Sequence, residues 1–321
     1  MSSSSALRRV RIARKTVEAV DICSFELVDP DGLALPAFTA GAHIDVQVAP
    51  GLVRQYSLCN DPGETHRYQI GVLRDAHSRG GSVAMHALEV GQTLSISDPR
   101  NHFALAEQAP HSLLLAGGIG ITPLLCMAQR LSALRQTFAL HYCARAPERA
   151  AFVEQVAGSA AWAAHVHYDD GPAVQRLDVR AVLASQPPGT HLYVCGPTGF
   201  MDAMLAAARD ASWPEEQLHR EYFGAAPADT SHDSSFEVQI ASTGAVIRVE
   251  ADRSVVEALA AAGIELPTSC EQGVCGTCLT RVIAGTPDHR DLYLTPLEQQ
   301  RGDQFTPCCS RAKSARLVLD L

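Results

Sequence analysis

The sequence predicts a multidomain chain: an antiparallel β-barrel, then a doubly wound α/β domain, then a small α+β domain of the β-grasp type. Three observations predict it. Six short strands parted by turn residues fill the first hundred positions, apolar strands alternate with helical runs from Leu113 onward, and a hairpin, a capped helix and a cysteine cluster crowd into residues 234–321. At roughly 150 residues per domain, 321 residues leave room for two or three domains, and 46 % hydrophobic content is enough to give each a core. The expected boundaries are a barrel over 1–107, an α/β domain over 108–226, a linker over 227–233 and the last domain over 234–321.

In the barrel, strands are expected over 10–15, 22–27, 43–48, 54–58, 68–72 and 93–97. Arg54-Gln55-Tyr56-Ser57 sets a guanidinium, an aromatic ring and a hydroxyl on one strand. Taken alone, Arg54 and Tyr56 also describe an ordinary polar strand face. Ser78-Arg79-Gly80-Gly81-Ser82 precedes a short helix over 83–88, an arrangement that aims free backbone N–H groups at an anion.

In the middle domain the apolar strand 113–116 runs straight into Gly117-Gly118-Ile119-Gly120-Ile121-Thr122-Pro123, followed by a helical run over 124–134 with Thr122 as N-cap and Pro123 at the first helical position. Strand, glycine turn and helix together suit a phosphate, although Pro123 stands where the third glycine of a dinucleotide fingerprint would fall. Further strands over 138–143, 166–168 and 192–195 alternate with helices over 149–156, 178–184 and 198–209, which reads as a parallel sheet. The last strand ends at Cys195-Gly196-Pro197, small residues at the carboxyl edge where such sheets bind ligands. A buried core cysteine is the plainer reading of Cys195 by itself.

The last domain opens with a hairpin over 236–240 and 246–249 around Ser242-Thr243-Gly244. It continues with a capping box at Ser254 and Glu257, a helix over 255–262 stopped by Gly263, a second box at Thr295 and Glu298, and a final strand over 317–321.

Lys+Arg 26 against Asp+Glu 35 gives a formal charge of −9, the wrong sign for a nucleic-acid partner. No apolar run approaches the ~20 residues that span a bilayer, and the polar start Met1–Ser5 lacks a signal-like apolar stretch. A cytoplasmic protein is therefore expected, where ten cysteines point to metal or redox chemistry before disulfides. Five lie scattered; the other five give Cys270, Cys275, Cys278 and the adjacent Cys308 and Cys309, spaced C-x4-C-x2-C-x29-C. This is the plant-type spacing for a [2Fe–2S] cluster, whose three clustered thiolates require a loop wrapped around the iron. Gly273 and Gly276 suit such a loop because they accept positive φ and leave room for backbone N–H groups near sulfur. Structural zinc, the alternative, usually arrives as two spaced pairs, and adjacent cysteines do not form the second pair. Cys308 and Cys309 compete for the fourth position; in an extended segment only one points inward, and Cys308 is taken as the ligand.

Residues 234–321 resemble a plant-type [2Fe–2S] ferredoxin. With R-x-Y-S at Arg54, G-G-I-G-I-T-P at Gly117 and C-G-P at Cys195, the whole chain resembles the phthalate dioxygenase reductase family within the ferredoxin–NADP reductase superfamily. The resemblance implies an oxidoreductase that carries electrons from NADH through FMN and a [2Fe–2S] cluster to a separate Rieske-type aromatic oxygenase or demethylase component. It also implies roles. Arg54 and the segment Ser78, Gly80, Gly81, Ser82 would hold the flavin phosphate, Tyr56 would lie against the flavin, Ser57 near N5, and Gly71, Val72 and Thr122 beside it. Gly118, Ile119 and Gly120 would meet the dinucleotide diphosphate, Arg145 the adenosine half, and Cys195, Gly196 and Pro197 the nicotinamide. Glu221 and Phe223 belong to an E-x-F element near the isoalloxazine. Ser57 and Cys195 are the residues expected at the reacting atoms. Cys309 departs from the family, which usually places an apolar residue there.

No Rieske or mononuclear iron signature occurs in the chain, so the electrons are expected to leave by transient docking to another protein, with this chain a monomer. Two other classes use the cysteine cluster alone: a stand-alone electron carrier, which leaves the glycine turns unexplained, and a redox or metal sensor, which lacks an accompanying basic DNA-binding patch.

Overall fold

The computed structural model describes residues 7–76, 78, 80–157, 162–224 and 230–321. Residues 1–5, Arg79 and the part of the expected linker over 227–229 lie outside the described residues. The chain divides into two compact units, one up to Phe223 and the other from Gly224.

The first unit begins with strands β1 (Arg8–Ala19), β2 (Ile22–Val28), β3 (Ala42–Ala49), β4 (Leu52–Ser57) and β5 (Tyr68–Leu73), then helix α1 (Gly81–Ala87), β6 (Thr93–Ile96) and the short β7 (Arg100–Asn101). They pair antiparallel in the order β4-β3-β6-β1-β2-β5, with β7 on β3, and a bridge from Leu58 to Ile70 brings the two ends together. Closure removes the open edges that would otherwise attract another strand. Val10, Ile12, Phe25, Leu27, Ile44, Val46, Ile70 and Ile96 point inward and are buried. β1 runs four residues beyond the expected Lys15 because irregular register between Val17 and Ala19 keeps it paired with β2 after its apolar alternation ends.

Next come β8 (His111–Gly117), α2 (Ile121–Ala133), β9 (Phe138–Ala144), α3 (Val153–Ala157), β10 (Ala164–Tyr168), α4 (Val179–Ala184), β11 (Thr190–Cys195), α5 (Thr198–Asp210) and β12 (Leu218–Glu221). The sheet is parallel, in the order β10-β9-β8-β11-β12, so the chain reverses direction across the sheet between β8 and β11. Barrel and sheet share one apolar core that joins Phe25, Ile70 and Met85 to Leu114, Tyr142 and Tyr193. The expected 107/108 boundary therefore runs between two layers of one compact unit.

Three expectations change here. The helix expected over 149–156 is broken at Phe152, whose φ of 58° leaves only Val153–Ala157 helical. Phe152 is buried, with its ring turned toward Gly71, so packing overrides local propensity. Thr122 is not the N-cap of α2: a 3₁₀ turn over Gly118–Gly120 feeds directly into the helix, Gly120 takes the cap position, and the Thr122 hydroxyl donates back to the Ile119 carbonyl at 3.0 Å. Pro123 still falls within the first turn, where no backbone N–H is needed. β12, absent from the sequence reading, forms because β11 offers a free parallel edge.

The second unit holds β13 (Phe236–Ile240), β14 (Val246–Val249), α6 (Val255–Ala261), β15 (Thr280–Ala284), β16 (Pro287–Asp288), α7 (Pro296–Arg301), β17 (Gln304–Phe305), β18 (Arg311–Ala312) and β19 (Arg316–Leu319). Its main sheet runs β14-β13-β19-β15-β17 with β13 and β19 parallel, and α6 packs Val255 and Leu259 onto Val238, Phe305 and Leu317. Both expected capping boxes are present. Among the described residues, no helix is long and apolar enough to cross a membrane.

The Ser254 hydroxyl accepts the Glu257 N–H at 3.2 Å, so Ser254→Ala is expected to destabilise this unit by about 1 kcal/mol. Thermal unfolding followed by circular dichroism measures it, and an unchanged transition contradicts the role of the cap.

Candidate functional site

The site grows from two turns pressed back to back. β8 and β11 are neighbours, with Ala116 opposite Cys195, so the turn leaving each strand must pass the other. A Cβ on Gly120 would overlap the Cys195 carbonyl and lie 2.6 Å from the Gly196 nitrogen. A Cβ on Gly196 would lie 2.9 Å from the Gly117 Cα, and one on Gly117 would lie 2.9 Å from the Phe200 ring. These glycines are needed for close backbone approach. Gly118 differs: its φ is 53° and the space over it is open, which leaves that peptide facing outward. Pro197 takes the N-cap position of α5.

This approach fixes the end of β11, and the register of the next strand then sets Glu221 opposite Cys195. From the barrel, Ser57 ends β4 and donates its hydroxyl to Glu221 Oε2 at 3.0 Å. Ser57, Glu221 and Cys195, from three strands and two layers, thus meet at one place. Burial drives the carboxyl pKa of Glu221 up to about 7, with the Ser57 hydrogen bond opposing the rise. Burial, reinforced by Glu221, also raises the Cys195 thiol pKa, so the sulfur is a neutral thiol at neutral pH. The resemblance sets Glu221 and Phe223 together near the flavin. In the structure Glu221 joins the cluster, while Phe223 is 44 % exposed.

Along β4, burial raises the pKa of the Tyr56 phenol, and the Arg54 side chain lies across Gly81, where a Cβ would come within 2.5 Å of Arg54 Cγ and 2.7 Å of Nε. Gly80, at φ 90°, caps α1, and the Ser82 hydroxyl accepts the Asp75 N–H at 3.1 Å, tying the start of α1 to the residues after β5. Gly71 packs under the α/β layer, 2.7 Å from Thr122 Cγ2 to a built Cβ, while Val72 is buried with its carbonyl 2.9 Å from the His86 ring. Ser57, Gly71 and Thr122 therefore lie where barrel and sheet meet, while Arg54 and Gly81 pack on each other within the barrel. Arg145 lies apart, exposed beyond the end of β9.

In the second unit, the loop after α6 turns at Gly273 and Gly276, with φ of 70° and 69°, and also at Glu271, with φ of 55°. A Cβ on Gly276 would lie 2.5 Å from Tyr293 Cε2. Backbone N–H groups of Gln272 and Thr277 donate to the sulfurs of Cys270 and Cys275, each at 3.4 Å. The thiols of Cys270, Cys275, Cys278 and Cys308 interact with one another and shift each other's proton affinity. Four thiols are thus gathered in one region, two of them accepting backbone N–H groups, a donor set that suits iron–sulfur coordination.

Comparison with known proteins agrees with this arrangement. Residues 238–313 match the 2Fe-2S iron-sulfur cluster binding domain, and residues 97–218 match the N-terminal domain of dimethylamine monooxygenase subunit DmmA-like proteins. The chain is 57 % identical over 315 residues to a vanillate O-demethylase oxidoreductase of Pseudomonas sp. (strain HR199 / DSM 7063), covering 97 % of this chain and 99 % of that one. It superposes on phthalate dioxygenase reductase, described as a modular structure for electron transfer from pyridine nucleotides to [2Fe-2S], with TM-score 0.75, 41 % identity and 98 % of each chain covered. A type IV self-sufficient cytochrome P450 monooxygenase matches with TM-score 0.86 and 38 % identity over 98 % of this chain, which spans only 41 % of that longer one.

The fold and its two sites define an electron-transfer oxidoreductase that works with a flavin, a pyridine nucleotide and a [2Fe–2S] cluster. The chain belongs to the phthalate dioxygenase reductase family, alongside the vanillate O-demethylase oxidoreductases.

Because the folded pKa of Glu221 is raised above that of a free carboxylate, the native state holds an extra proton between the two values. The stability this confers is full below the ordinary carboxylate range and is lost as pH rises through about 7. Glu221→Gln is expected to abolish that loss while keeping an acceptor for Ser57. Melting temperatures from pH 5 to 8 should converge at the acid end, with the variant pulling ahead toward pH 8; parallel curves contradict the assignment.

Proposed function

We propose that this chain takes hydride from NADH and passes single electrons to a separate Rieske-type oxygenase or demethylase component, with FMN as its flavin. The observation that carries this reading is the convergence of Ser57, Glu221 and Cys195 where barrel and parallel sheet join. Bound flavin supplies the step from paired to single electrons, which no side chain here can perform.

The chain's own residues would hold and align the reactants. Arg54 lies beside the small Gly80–Gly81 turn, a pairing that suits a guanidinium bound to a terminal phosphate. Tyr56, kept as a neutral phenol, offers a flat apolar face with a polar tip. The outward peptide at Gly118, with Ile119 and Gly120 at the start of α2, would meet a diphosphate at the helix N-terminus. Cys195 presents a small neutral sulfur beside Gly196 and Pro197, so a positively charged nicotinamide ring is not trapped by a thiolate. The Ser57 hydroxyl, fixed on Glu221, has lone pairs left over to meet a proton on a reacting nitrogen. With a pKa near neutrality, Glu221 can hold or release a proton through that hydroxyl. Cys270, Cys275, Cys278 and Cys308 would bind the cluster.

For NADH over NADPH, the ground is the edge beyond β9. There Arg145 stands with the buried Ala146 and the exposed Glu148, and the backbones of Asp169 and Asp170 hydrogen-bond to the carbonyls of Ala144 and Arg145. Acids at this edge repel a 2′-phosphate, and one arginine alone does not select for it. The relatives' names support an oxygenase or demethylase partner, and this chain has no second iron motif of its own. Transient docking of a cytoplasmic monomer completes the proposal.

Cys275→Ser should remove the [2Fe–2S] signal while leaving flavin bound and reducible by NADH, because the two sites belong to different compact units. Loss of flavin together with the cluster, in a soluble folded variant, contradicts this division. For the nucleotide, kcat/KM for ferricyanide reduction should be at least tenfold higher with NADH, about 1.4 kcal/mol of discrimination. Equal or higher values with NADPH would sink the assignment.

A further inference from the structure

The segment that carries the fourth cluster ligand is not extended. The N–H groups of Cys309 and Ser310 both donate to the Thr306 carbonyl, at 3.2 and 3.0 Å, which bends residues 306–310 into a helical turn. In such a turn successive side chains are rotated by about 100°, whereas a strand would send them to opposite faces. Two adjacent cysteines can then lie on one side. The Cys308 thiol interacts with those of Cys309, Cys270 and Cys278, so the two adjacent cysteines share one neighbourhood.

The Cys309 sulfur lies against the middle of the cluster loop: a Cβ added to Gly273, between Cys270 and Cys275, would overlap it. Its remaining partners are weak. Thr306 Oγ1 is 3.3 Å away, Ser310 Oγ 3.8 Å and the Thr306 carbonyl 3.9 Å, contacts that a thiol gives up at small cost.

We propose that Cys309 is a reserve ligand for the iron held by Cys308, an inference that rests on the cluster assignment above. When the Cys308 bond to iron breaks, Cys309 turns about χ1 and binds in its place, and the other three ligands keep their positions. The exchange is balanced by one proton: the Cys309 thiol releases it as the new Fe–S bond forms, and the departing Cys308 thiolate takes it up. No electron is transferred. The consequence is a cluster that survives loss of one ligand and escapes more slowly to competing chelators.

Full-length wild type, Cys308→Ala, Cys309→Ser and the double variant Cys308→Ala/Cys309→Ser would be reconstituted anaerobically with iron and sulfide. Iron content, visible absorption and the electron paramagnetic resonance spectrum of the dithionite-reduced state would then be compared. The proposal expects Cys308→Ala to keep most of its iron with a shifted resonance spectrum, and the double variant to lose it. A Cys308→Ala chain as iron-poor as the double variant, or a double variant that matches the single one in iron and spectrum, overturns the proposal. A second readout does not depend on Cys308→Ala folding. Under a ferrous chelator, Cys309→Ser should lose iron several-fold faster than wild type, and equal rates overturn the reserve role. A wild-type chain without iron–sulfur absorption would overturn the cluster assignment itself, and this proposal with it.

Discussion

Gly120 and the Cys195 carbonyl approach so closely that not even a methyl group fits between them, and most of the first unit's site follows from that contact. It forces the turns after β8 and β11 to share one edge of the parallel sheet, at the point where strand order reverses and ligands have room to bind. It also fixes the height at which Cys195 leaves the sheet. Strand register carries that height to Glu221, and one hydrogen bond carries it on to Ser57 in the barrel. The reacting edge is thus positioned by backbone geometry, with side chains supplying polarity.

The electrostatic character of the two sites differs in the way their tasks require. In the first unit, burial keeps Tyr56, Cys195 and much of Glu221 uncharged near neutral pH, so these groups add little fixed charge there. In the second unit the cysteine loop instead turns backbone N–H groups toward sulfur, which stabilises thiolates and an anionic cluster. Each unit closes its own core, so neither site needs the other to fold.

Features set by local chemistry were legible in the sequence. The spacing of Cys270, Cys275 and Cys278, the positive φ at Gly273 and Gly276, both capping boxes and most strands follow from residue type and short-range pattern. What was not legible depends on distant packing. Phe152 breaks a helical run because its ring is buried toward Gly71, more than eighty positions earlier. Thr122 loses its cap to a 3₁₀ turn compressed against β11. The resemblance sets Glu221 in an E-x-F element near the flavin, and only the pairing of β12 with β11 shows it to be the partner of Ser57. The extended geometry assumed around Cys308 failed for a similar reason, since the bond from Ser310 to the Thr306 carbonyl that bends the segment leaves no mark on a list of residue types.

The claim that one chain joins hydride acceptance to single-electron delivery is tested most directly by an anaerobic NADH titration of the purified protein, followed by visible absorption. The account predicts flavin bands superimposed on a red-brown iron–sulfur envelope, with both bleaching as NADH is added. An envelope without flavin bands, or flavin bands that bleach while the iron–sulfur absorption stays oxidised, would contradict it.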